Sequence, residues 1–415
     1  MVESFWEQIL FSKGKLKLKI EKRMGFKLLL LVKSVVAAPL VIFIYFHAKA
    51  RGLLYFEIIS ERYGNHILDG TNKIILAQES KDRDKLMFFQ LHKATNAHWQ
   101  KMLERQLGRI ENFSMFATII RRFTILHDVF ILSKPPLLDI HGKYHTTNIG
   151  LPKFSDEEAN YCLQWTRSKK ITGDAKIICL MVRDDQYLSN TEHFCNRLTE
   201  YHSYRDTDIA SYERAIRYLI KKNYVVVRMG KDMKTRVNIC HPNFIDYAFD
   251  PEKSELLDIW LFSKAAAVIG TGTGPDVFGN VCRIPVLYLN FLPLLPIHSF
   301  HDTLTHPKQL RWRDTKDRLN ISDQLRHSYF RTQEYEDAGI QIDDMTSEEI
   351  LRSTREFIAR IEGTYRPSSK LLEMQNKFWR CLEAHETFTK KRPWKHQNAK
   401  VTDSWLEVQD TDFFN

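Results

Sequence analysis

The stretch AAAVIGTGTGPDVFGNVCRIPVLYL, residues 265–289, decides the fold class. Its apolar run 265–269 ends in three alternating glycines, which predicts a buried strand followed by a tight turn. Pro275 is suited to the first turn of a helix and begins a predicted helix at 275–282. The apolar run 285–289 predicts the next strand. This order of strand, helix and strand is typical of a parallel sheet with helices on both faces.

The same alternation extends upstream of this stretch. KIICLMV (176–182) and YVVVR (224–228) are continuous apolar runs that predict two more strands. The amphipathic segment 208–222 and the segment 254–264 predict helices that separate the strands. Residues 166–345 are therefore expected to form a Rossmann-like α/β domain whose parallel strands are buried on both faces.

The preceding segment, 53–165, has weaker patterns. Apolar runs at 53–60 and 73–78 predict short strands, and residues 84–133 have a helical period. Two capping-box patterns also predict helix starts, one in this segment and one near the C-terminus. They pair Ser155 with Glu158 and Thr346 with Glu349.

The C-terminal part is predicted to be helical and then irregular. Residues 346–390 contain a capped helix and a second helical stretch at 369–386, and both are expected to pack back on the first domain. The tail 391–415 is polar and is expected to be loose.

Composition excludes several classes of protein. The chain has 415 residues, enough for two or three domains, and its 43% hydrophobic and 27% charged residues are typical of a folded globular chain. The mean hydropathy of −0.37 excludes a multispanning membrane protein. The six cysteines form no CxxC pair, which favours buried thiols over a zinc ribbon or a disulfide scaffold.

The net charge of +10 is concentrated in a short leader. Residues 1–52 hold ten Lys and Arg against three Glu, a net of +7, so the other residues carry a net of only +3. A globular nucleic-acid binder would hold its basic excess on the folded body. The distribution therefore predicts no nucleic-acid partner and favours an anionic membrane surface as the partner of the leader.

An apolar stretch within the leader bears on the same question. Residues 28–46 are almost continuously apolar, interrupted by Lys33, Ser34 and Pro39, and the longest unbroken run (35–46) has 12 residues. A full span needs about 20 apolar residues. Three interpretations therefore stay open: a membrane-associated or re-entrant helix, a single span, and a buried core helix. The first of them is favoured.

The glycine-rich turn is the first candidate site. Ligands of doubly wound sheets bind at the carboxyl ends of strands, and glycines there would let backbone N–H groups approach a phosphate at a helix N-terminus. A tight turn without a ligand is the alternative, and Asp276 would repel a phosphate unless its side chain points away. The spacing GxGxG favours a nucleotide sugar over a dinucleotide. The residues of this predicted cradle are Gly270, Thr271, Gly272, Thr273 and Gly274.

Basic residues near other strand ends add to this site. Arg183 follows a predicted strand and is suited to neutralise a leaving diphosphate, although a surface pair with Asp184 is the alternative. In the polar loop 201–208, His202 and Arg205 have no evident structural role, so they are candidate ligands for a substrate or a phosphate.

The first domain offers candidates for a catalytic base. His66 follows the first predicted strand, where it is either a general base or an ordinary buried histidine. Asp69 is the other acid within reach. No metal site is expected, because four residues near position 300 lack metal-ligand spacing. The four are His298, His301, Asp302 and His306.

The order of these motifs resembles a family of bacterial glycosyltransferases from surface-polysaccharide gene clusters. The resemblance rests on VRDDQYL (182–188), YHSYRDTDIASYERAIRYLIKKNYVVVRMG (201–230) and LLDIWLFSKAAAVIGTGTGPDVFGNVCRIPVLYLNFLP (256–293). GIQIDDMTSEEI and the pair Phe378-Trp379 are similar to the C-terminal end of that family. The resemblance covers roughly residues 150–385 well and the first domain more loosely.

The resemblance implies a GT-B-like architecture, in which two Rossmann-like α/β domains face a cleft. The acceptor side would be 53–165 and the donor side 166–345. It also implies a nucleoside-diphosphate sugar as donor, with a cell-surface glycan or a lipid-linked molecule as acceptor and no cofactor. The residues that would face the donor are Arg183, Tyr204, Arg205, Arg228 and the loop 270–274. GTGTGPD departs from the Ser-Gly pair expected in this loop, which leaves the role of Thr273 open.

Two further expectations follow from the proposed donor. Transfer is expected to be metal-independent, because the sequence lacks a convincing DxD motif at a strand end. Nucleotide sugars are cytosolic, so the body is expected at the cytoplasmic face of the inner membrane. The alternatives are a Rossmann-type enzyme that uses NAD or S-adenosylmethionine, and a non-catalytic membrane-associated scaffold.

Overall fold

The computed structural model describes residues 37–133, 152–186, 203–297 and 302–386, together with 388, 396, 398–409 and 411–414. Two parallel sheets with flanking helices form two α/β domains, and residues from both domains line a common cleft. The sheets and the cleft confirm the predicted fold class of two Rossmann-like α/β domains that face a cleft.

The first domain is built on a parallel sheet. Its strands are β1 (Leu54–Glu57), β2 (Leu86–Gln90), β3 (Ile110–Asn112) and β4 (Phe130–Ile131). Within the described residues they form four neighbouring strands in the order β3-β2-β1-β4, with every pair parallel. The helices of this domain are α1 (37–51), α2 (Tyr63–Glu79), α3 (Ala97–Leu107) and α4 (Ala117–Arg122).

One local prediction in this domain is wrong, and a second is right only for the helices α3 and α4. Residues 73–78, predicted as a strand, form the last turns of α2, because Ile74 continues the buried face that begins one heptad earlier at Ile67. Residues 84–133, predicted as helical, contain the strands β2, β3 and β4. These strands have only two to five residues, too short for their own period to show in the sequence.

The second domain is built on a larger parallel sheet. Its strands are β5 (Ile177–Met181), β6 (Val225–Arg228), β7 (Phe244–Ile245), β8 (Ala267–Gly270), β9 (Val286–Phe291), β10 (Thr303–Pro307) and β13 (Lys400–Val401). In the described part of the chain these seven strands have the order β13-β10-β9-β8-β5-β6-β7. A separate antiparallel pair joins β11 (Gln309–Trp312) to β12 (Ile340–Asp343). The strands predicted at 176–182, 224–228, 265–269 and 285–289 are confirmed as β5, β6, β8 and β9.

Helices surround this sheet and the antiparallel pair. They are α5 (Asp156–Ser168), α6 (Glu213–Lys221), α7 (Glu255–Lys264), α8 (Val277–Val281), α9 (Ile321–Arg326), α10 (Thr332–Asp337), α11 (Ser347–Ile361), α12 (Ser369–Ala384) and α13 (Asp403–Leu406). Both predicted capping boxes are confirmed. Ser155 and Glu158 begin α5, and Thr346 and Glu349 begin α11, each pair satisfying two backbone N–H groups.

The C-terminal segments join the second domain. The main contacts of α11 are with α6, α13 and β9, and those of α12 are with α13 and α9. The prediction that these helices pack back on the first domain is therefore wrong. The prediction of a loose polar tail is wrong for its described residues, because β13 adds a strand beside β10. Val401, Trp405 and Leu406 are buried there, too few apolar residues to give a pattern in a polar stretch.

The two domains meet in a shared core next to the cleft. The rings of Trp99 on α3 and Phe278 on α8 pack edge to face, with centroids 5.2 Å apart. At the start of α7, Glu255 accepts hydrogen bonds from the backbone N–H groups of Ala97 (2.7 Å) and His98 (3.2 Å). An apolar contact and a charge-assisted one therefore hold the cleft walls together.

Helix α1 contains the described part of the apolar stretch 28–46. Ala37, Val41 and Ala48 pack into the core of the first domain, beside Phe89 and the helices of that domain. No helix within the described residues has the length and apolarity that crossing a bilayer requires. Residues 1–36, with most of the basic leader, lie outside the described residues.

Candidate active site

A cleft of about 270 Å³ lies between the two domains, next to the carboxyl ends of β1, β5, β6 and β8. The first domain contributes Thr95, Asn96 and the segment 61–64, which links β1 to α2. The residues from the second domain follow strand ends or lie on α7, and they are Met181, Arg183, Asp184, Arg205, 229–233, Glu255, Asp258, Phe262 and 273–275. Ligands of α/β folds bind at such strand ends, so this cleft is the candidate active site.

Arg183 directly follows β5 and lies on the cleft wall. Its Nε donates to Asp206 Oδ1 (2.7 Å), and its backbone N–H donates to Thr271 Oγ1 (3.2 Å). Its Nη2 is buried and has no hydrogen-bond partner among the described residues. The alternative of a surface pair with Asp184 is wrong, because Asp206 holds the guanidinium and Asp184 accepts backbone N–H groups instead.

Arg205 lies on the same wall and is held by the glycine-rich turn. One of its Nη atoms donates to the carbonyl oxygen of Gly272. Burial lowers the pKa of Arg205, and the nearby positive charge of Arg183 lowers it further. Two guanidinium groups are therefore held side by side against their mutual repulsion. An anion bound between them would relieve this repulsion and gain charge-assisted hydrogen bonds.

Asp276 shapes the turn 270–274. Its Oδ2 accepts hydrogen bonds from the backbone N–H (2.7 Å) and the hydroxyl (3.1 Å) of Thr273. A Cβ on Gly270 would overlap the same carboxylate, so a residue with a side chain cannot replace this glycine without displacing Asp276. Burial raises the pKa of Asp276 to about 7, against the hydrogen bonds from Thr273. The side chain points into the domain and does not line the cleft, so it presents no carboxylate to a bound phosphate.

This geometry corrects the prediction that the backbone N–H groups of the turn surround a diphosphate. The N–H of Thr273 is bound to Asp276, the hydroxyl of Thr271 accepts from the Arg183 backbone, and the Gly272 carbonyl accepts from Arg205. The turn therefore acts mainly by positioning the two arginines. Only Thr273 and Gly274 of the predicted cradle line the cleft.

The backbones of Gly64 and Gly274 touch across the cleft. A Cβ on Gly64 would lie 2.9 Å from Gly274 Cα, and a Cβ on Gly274 would lie 3.0 Å from the Gly64 nitrogen. A side chain at either position would therefore push the walls apart. The contact places the N-terminus of α2 beside the glycine-rich turn. In the described residues no side chain caps this 17-residue helix, so its positive end adds to the charge of the arginines.

Two predicted donor residues, Tyr204 and Arg228, do not line the cleft. Tyr204 is buried and packs on Tyr335, with ring centroids 5.6 Å apart. Arg228 is fully buried beside Asp246 (3.4 Å) and lines a separate cavity of about 400 Å³. His202 lies outside the described residues. The sequence of the polar loop does not show that Tyr204 packs in the core. The sequence of the strand does not show that Arg228 is buried.

The two predicted bases are also buried away from the cleft. His66 lies within α2, and its Nε2 is 3.2 Å from Gln100 Oε1. Asp69 accepts from the backbone N–H of Ile59 (2.8 Å) and pairs with Lys73 (3.0 Å). The structure therefore favours the buried-histidine interpretation of His66, and gives Asp69 the role of tying α2 to the end of β1.

Because His66 is buried, the change in the free energy of unfolding caused by its substitution should depend on pH. Burial lowers the pKa of His66 from 6.5 to about 4. Between these values the unfolded chain binds more protons at this site, so the folded state loses stability as the pH falls from 6.5 towards 4. The stability advantage of wild type over His66→Gln should therefore shrink by about 1.4 kcal/mol per pH unit in this range. Urea unfolding of both proteins at pH 7 and pH 5 measures it, and a difference that does not change with pH contradicts it.

Carboxylates that no sequence pattern identified also line the cleft, and two of them are Glu61 and Asp258. Glu61 lies just beyond β1. Among the described residues that line the cleft, it is the acidic residue from the first domain. Its Oε2 is 3.3 Å from His92 Nε2, and about half of its side chain is exposed. Asp258 on α7 lines the opposite wall, and burial raises its pKa to about 6. Glu61 follows a strand end as Arg183 does, and that signal was available in the sequence.

The histidines near position 300 do not form a metal site in the described residues. His306 is buried between the hydroxyl groups of Ser353 and Thr402, each 2.8 Å from its Nδ1. His298 and His301 lie outside the described residues. No group of three or more His, Cys, Asp or Glu side chains suited to a metal ion occurs among the residues that the structure describes.

Comparison with known proteins gives matches only among solved structures. No protein-family model matches the chain, and a search of curated proteins finds no match. Similar structures include a glycosyl transferase family 9 protein from Veillonella parvula DSM 2008, at 10% identity and a TM-score of 0.44, which covers 74% of this chain and 97% of that one. The ADP-heptose LPS heptosyltransferase II of E. coli, at 10% identity and a TM-score of 0.40, covers 75% and 100%.

A third similar structure is the dodecameric iron-containing heptosyltransferase TibC in complex with ADP-D-beta-D-heptose. It has 13% identity and a TM-score of 0.32, and the match covers 75% of this chain and 76% of that one. Similarity at these identities and TM-scores assigns neither a family nor an activity to this chain. A function has to be argued from the cleft itself.

Proposed function

We propose that the protein is a glycosyltransferase that moves a sugar from a nucleoside-diphosphate sugar to a hydroxyl group of a glycan or of a lipid-linked acceptor. The observation that carries the proposal is the pair Arg183 and Arg205, held together at the strand ends of the second domain. A diphosphate is the anion that fits two guanidinium groups, because each can donate two parallel hydrogen bonds to phosphate oxygens.

The arginines supply what the leaving group needs. In the transfer, the acceptor oxygen forms a bond to the anomeric carbon while the bond between that carbon and the diphosphate oxygen breaks. The electron pair of the broken bond leaves with the diphosphate. Arg183, Arg205 and the positive end of α2 face this developing charge and stabilise it. With these cations in place, we propose that the reaction needs no metal ion, so that it continues in EDTA.

Glu61 is placed to accept the proton of the acceptor hydroxyl. It belongs to the first domain and lines the cleft, whose second-domain wall carries the arginines. Its Oε2 lies 3.3 Å from His92 Nε2. Transfer releases a proton on the acceptor side and a diphosphate on the donor side. The carboxylate of one wall takes the proton, and the cations of the other wall stabilise the diphosphate.

A binding panel tests the donor assignment. Melting temperatures are measured with UDP, GDP, ADP and CDP, with the matching nucleosides, and with NAD and S-adenosylmethionine. One diphosphate should stabilise the protein, by about 2.7 kcal/mol at 100 times its Kd. Its nucleoside should not, because the arginines bind the phosphates. Arg183→Ala should weaken binding of that diphosphate about 10- to 100-fold.

Arg217→Ala is the matched control. Arg217 is an exposed arginine on α6 that pairs with Glu213 and does not line the cleft. Its loss should leave the affinity unchanged. Stabilisation by S-adenosylmethionine alone, or by NAD alone, would overturn the proposal in favour of another Rossmann-type enzyme. Equal binding of nucleoside and diphosphate would overturn the role of the arginines.

A further inference from the structure

Helix α1 is apolar on two opposite faces. One face is buried, where Val41 and Ala48 pack into the first domain. The other face carries Ile42, Phe43 and Phe46, whose exposed fractions are 50%, 66% and 64%. A surface helix of a soluble domain is ordinarily polar on its outer face. The outer face of α1 therefore has the composition of a surface that is buried against something else.

A second element continues this surface. The residues from Arg121 to Ile125 are all exposed, and among them Phe123 and Ile125 are exposed by 57% and 74%. The residues on either side of this segment, Ile120 and Leu126, belong to the same core of the first domain as the buried face of α1. Asp128 joins the two, accepting from Tyr45 Oη (3.3 Å) and pairing with Lys49 (2.6 Å). We call the exposed apolar residues of α1 and of 121–125 the apolar patch.

Exposed cations surround the apolar patch. Lys49 and Arg51 lie at the end of α1, and Arg121 and Arg122 come directly before Phe123 in the second element. Of these four, Lys49 is paired with the exposed carboxylate of Asp128, and Arg121 is paired with the buried carboxylate of Glu57 (3.4 Å). Aromatic and aliphatic side chains bordered by lysine and arginine are typical of segments that lie in the interface of an anionic bilayer, where each basic residue adds about 1 kcal/mol.

The apolar patch adjoins the acceptor wall of the cleft. Arg121 Nη2 is 3.2 Å from His92 Nε2, and the same His92 nitrogen is 3.3 Å from Glu61 Oε2. Two side-chain contacts therefore lead from the patch to the proposed base. A surface on which the patch rests would lie next to the opening through which an acceptor reaches Glu61.

We propose that the first domain docks on an anionic phospholipid bilayer through the apolar patch, without crossing it. Phe43, Phe46 and Ile125 enter the boundary between head groups and acyl chains, and the surrounding cations bind lipid phosphates. Docking brings the acceptor wall of the cleft to the membrane. The next step rests on the proposed function. The acceptor is then lipid-linked, and it is glycosylated while its lipid stays in the bilayer.

Vesicle flotation with the full chain tests the docking. Vesicles of phosphatidylcholine alone are compared with vesicles that also contain phosphatidylglycerol, without nucleotide or acceptor. The protein should float with the anionic vesicles, and less so at high salt. The double variant Phe43→Glu/Phe46→Glu should reduce the bound fraction by about tenfold or more, and so should Ile125→Glu from the second element.

Leu372→Glu is the matched control. Leu372 on α12 is exposed to a similar degree, 46%, but belongs to the second domain, so its variant should float as wild type does. Melting temperatures check that all variants are folded. Flotation that survives both patch variants would assign membrane binding to other residues, such as the basic leader, and overturn the proposal. A loss of self-association in the patch variants, with no vesicle binding by wild type, would assign the patch to a second copy.

Discussion

Arg205→Ala is expected to lower kcat/KM of the proposed sugar transfer by about 100-fold or more. Arg205 donates to the Gly272 carbonyl and faces the cleft beside Arg183, so its loss removes a cation at the position where the diphosphate becomes more negative. The effect should fall mainly on kcat, because the charge on the leaving group grows as its bond breaks. Steady-state rates with the diphosphate sugar identified by the binding panel measure this.

Arg205→Lys separates charge from geometry. A lysine keeps the positive charge, but its single ammonium cannot hold the Gly272 carbonyl and also form a two-pronged contact with phosphate. The variant should therefore fall between alanine and wild type. If Arg205→Ala transfers sugar at the wild-type rate while remaining folded, the arginine pair does not stabilise the leaving group and the proposed mechanism is wrong.

Glu61→Gln is expected to lower kcat by about 100- to 10,000-fold with little change in nucleotide affinity. The amide keeps the size of the side chain, but it cannot take a proton from the acceptor hydroxyl. Donor binding should persist because the arginines are on the other wall. Comparing kcat with the melting shift that the same diphosphate produces separates the two effects.

Glu104→Gln is the control for this substitution. Glu104 lies on the exposed face of α3, where it accepts from Gln100, and it does not line the cleft. Its variant should transfer sugar as wild type does. Normal turnover by Glu61→Gln would remove Glu61 as the base. Asp258, the other carboxylate described above, would then be tested in the same way.

The second sheet could be predicted because its strands are buried on both faces. A strand such as β5 or β8 is then a continuous apolar run, and nearly every residue carries the signal. The first sheet has shorter strands, and the long apolar helix α2 between them carries an isoleucine-rich run at 73–78 that has strand composition. There tertiary packing, which buries one face of the helix, determined the structure against the strand propensity of the local sequence.

The candidate site could be predicted only in part. Arg183 and Arg205 were found because strand ends of a parallel sheet converge, and this rule needs no side-chain detail. The rule does not say which way a side chain points. Arg228 and Tyr204 turn into the domain, and the hydroxyl and N–H of Thr273 turn to Asp276. Such choices depend on a buried carboxylate and on neighbouring rings, and a sequence does not display them.

The glycine pair at 64 and 274 has a mechanical consequence. Two main chains meet there with no side chain between them, so the backbone alone sets how closely the two domains approach at this point. A side chain introduced at either glycine would widen the cleft and increase the distance between the arginines of one wall and Glu61 on the other.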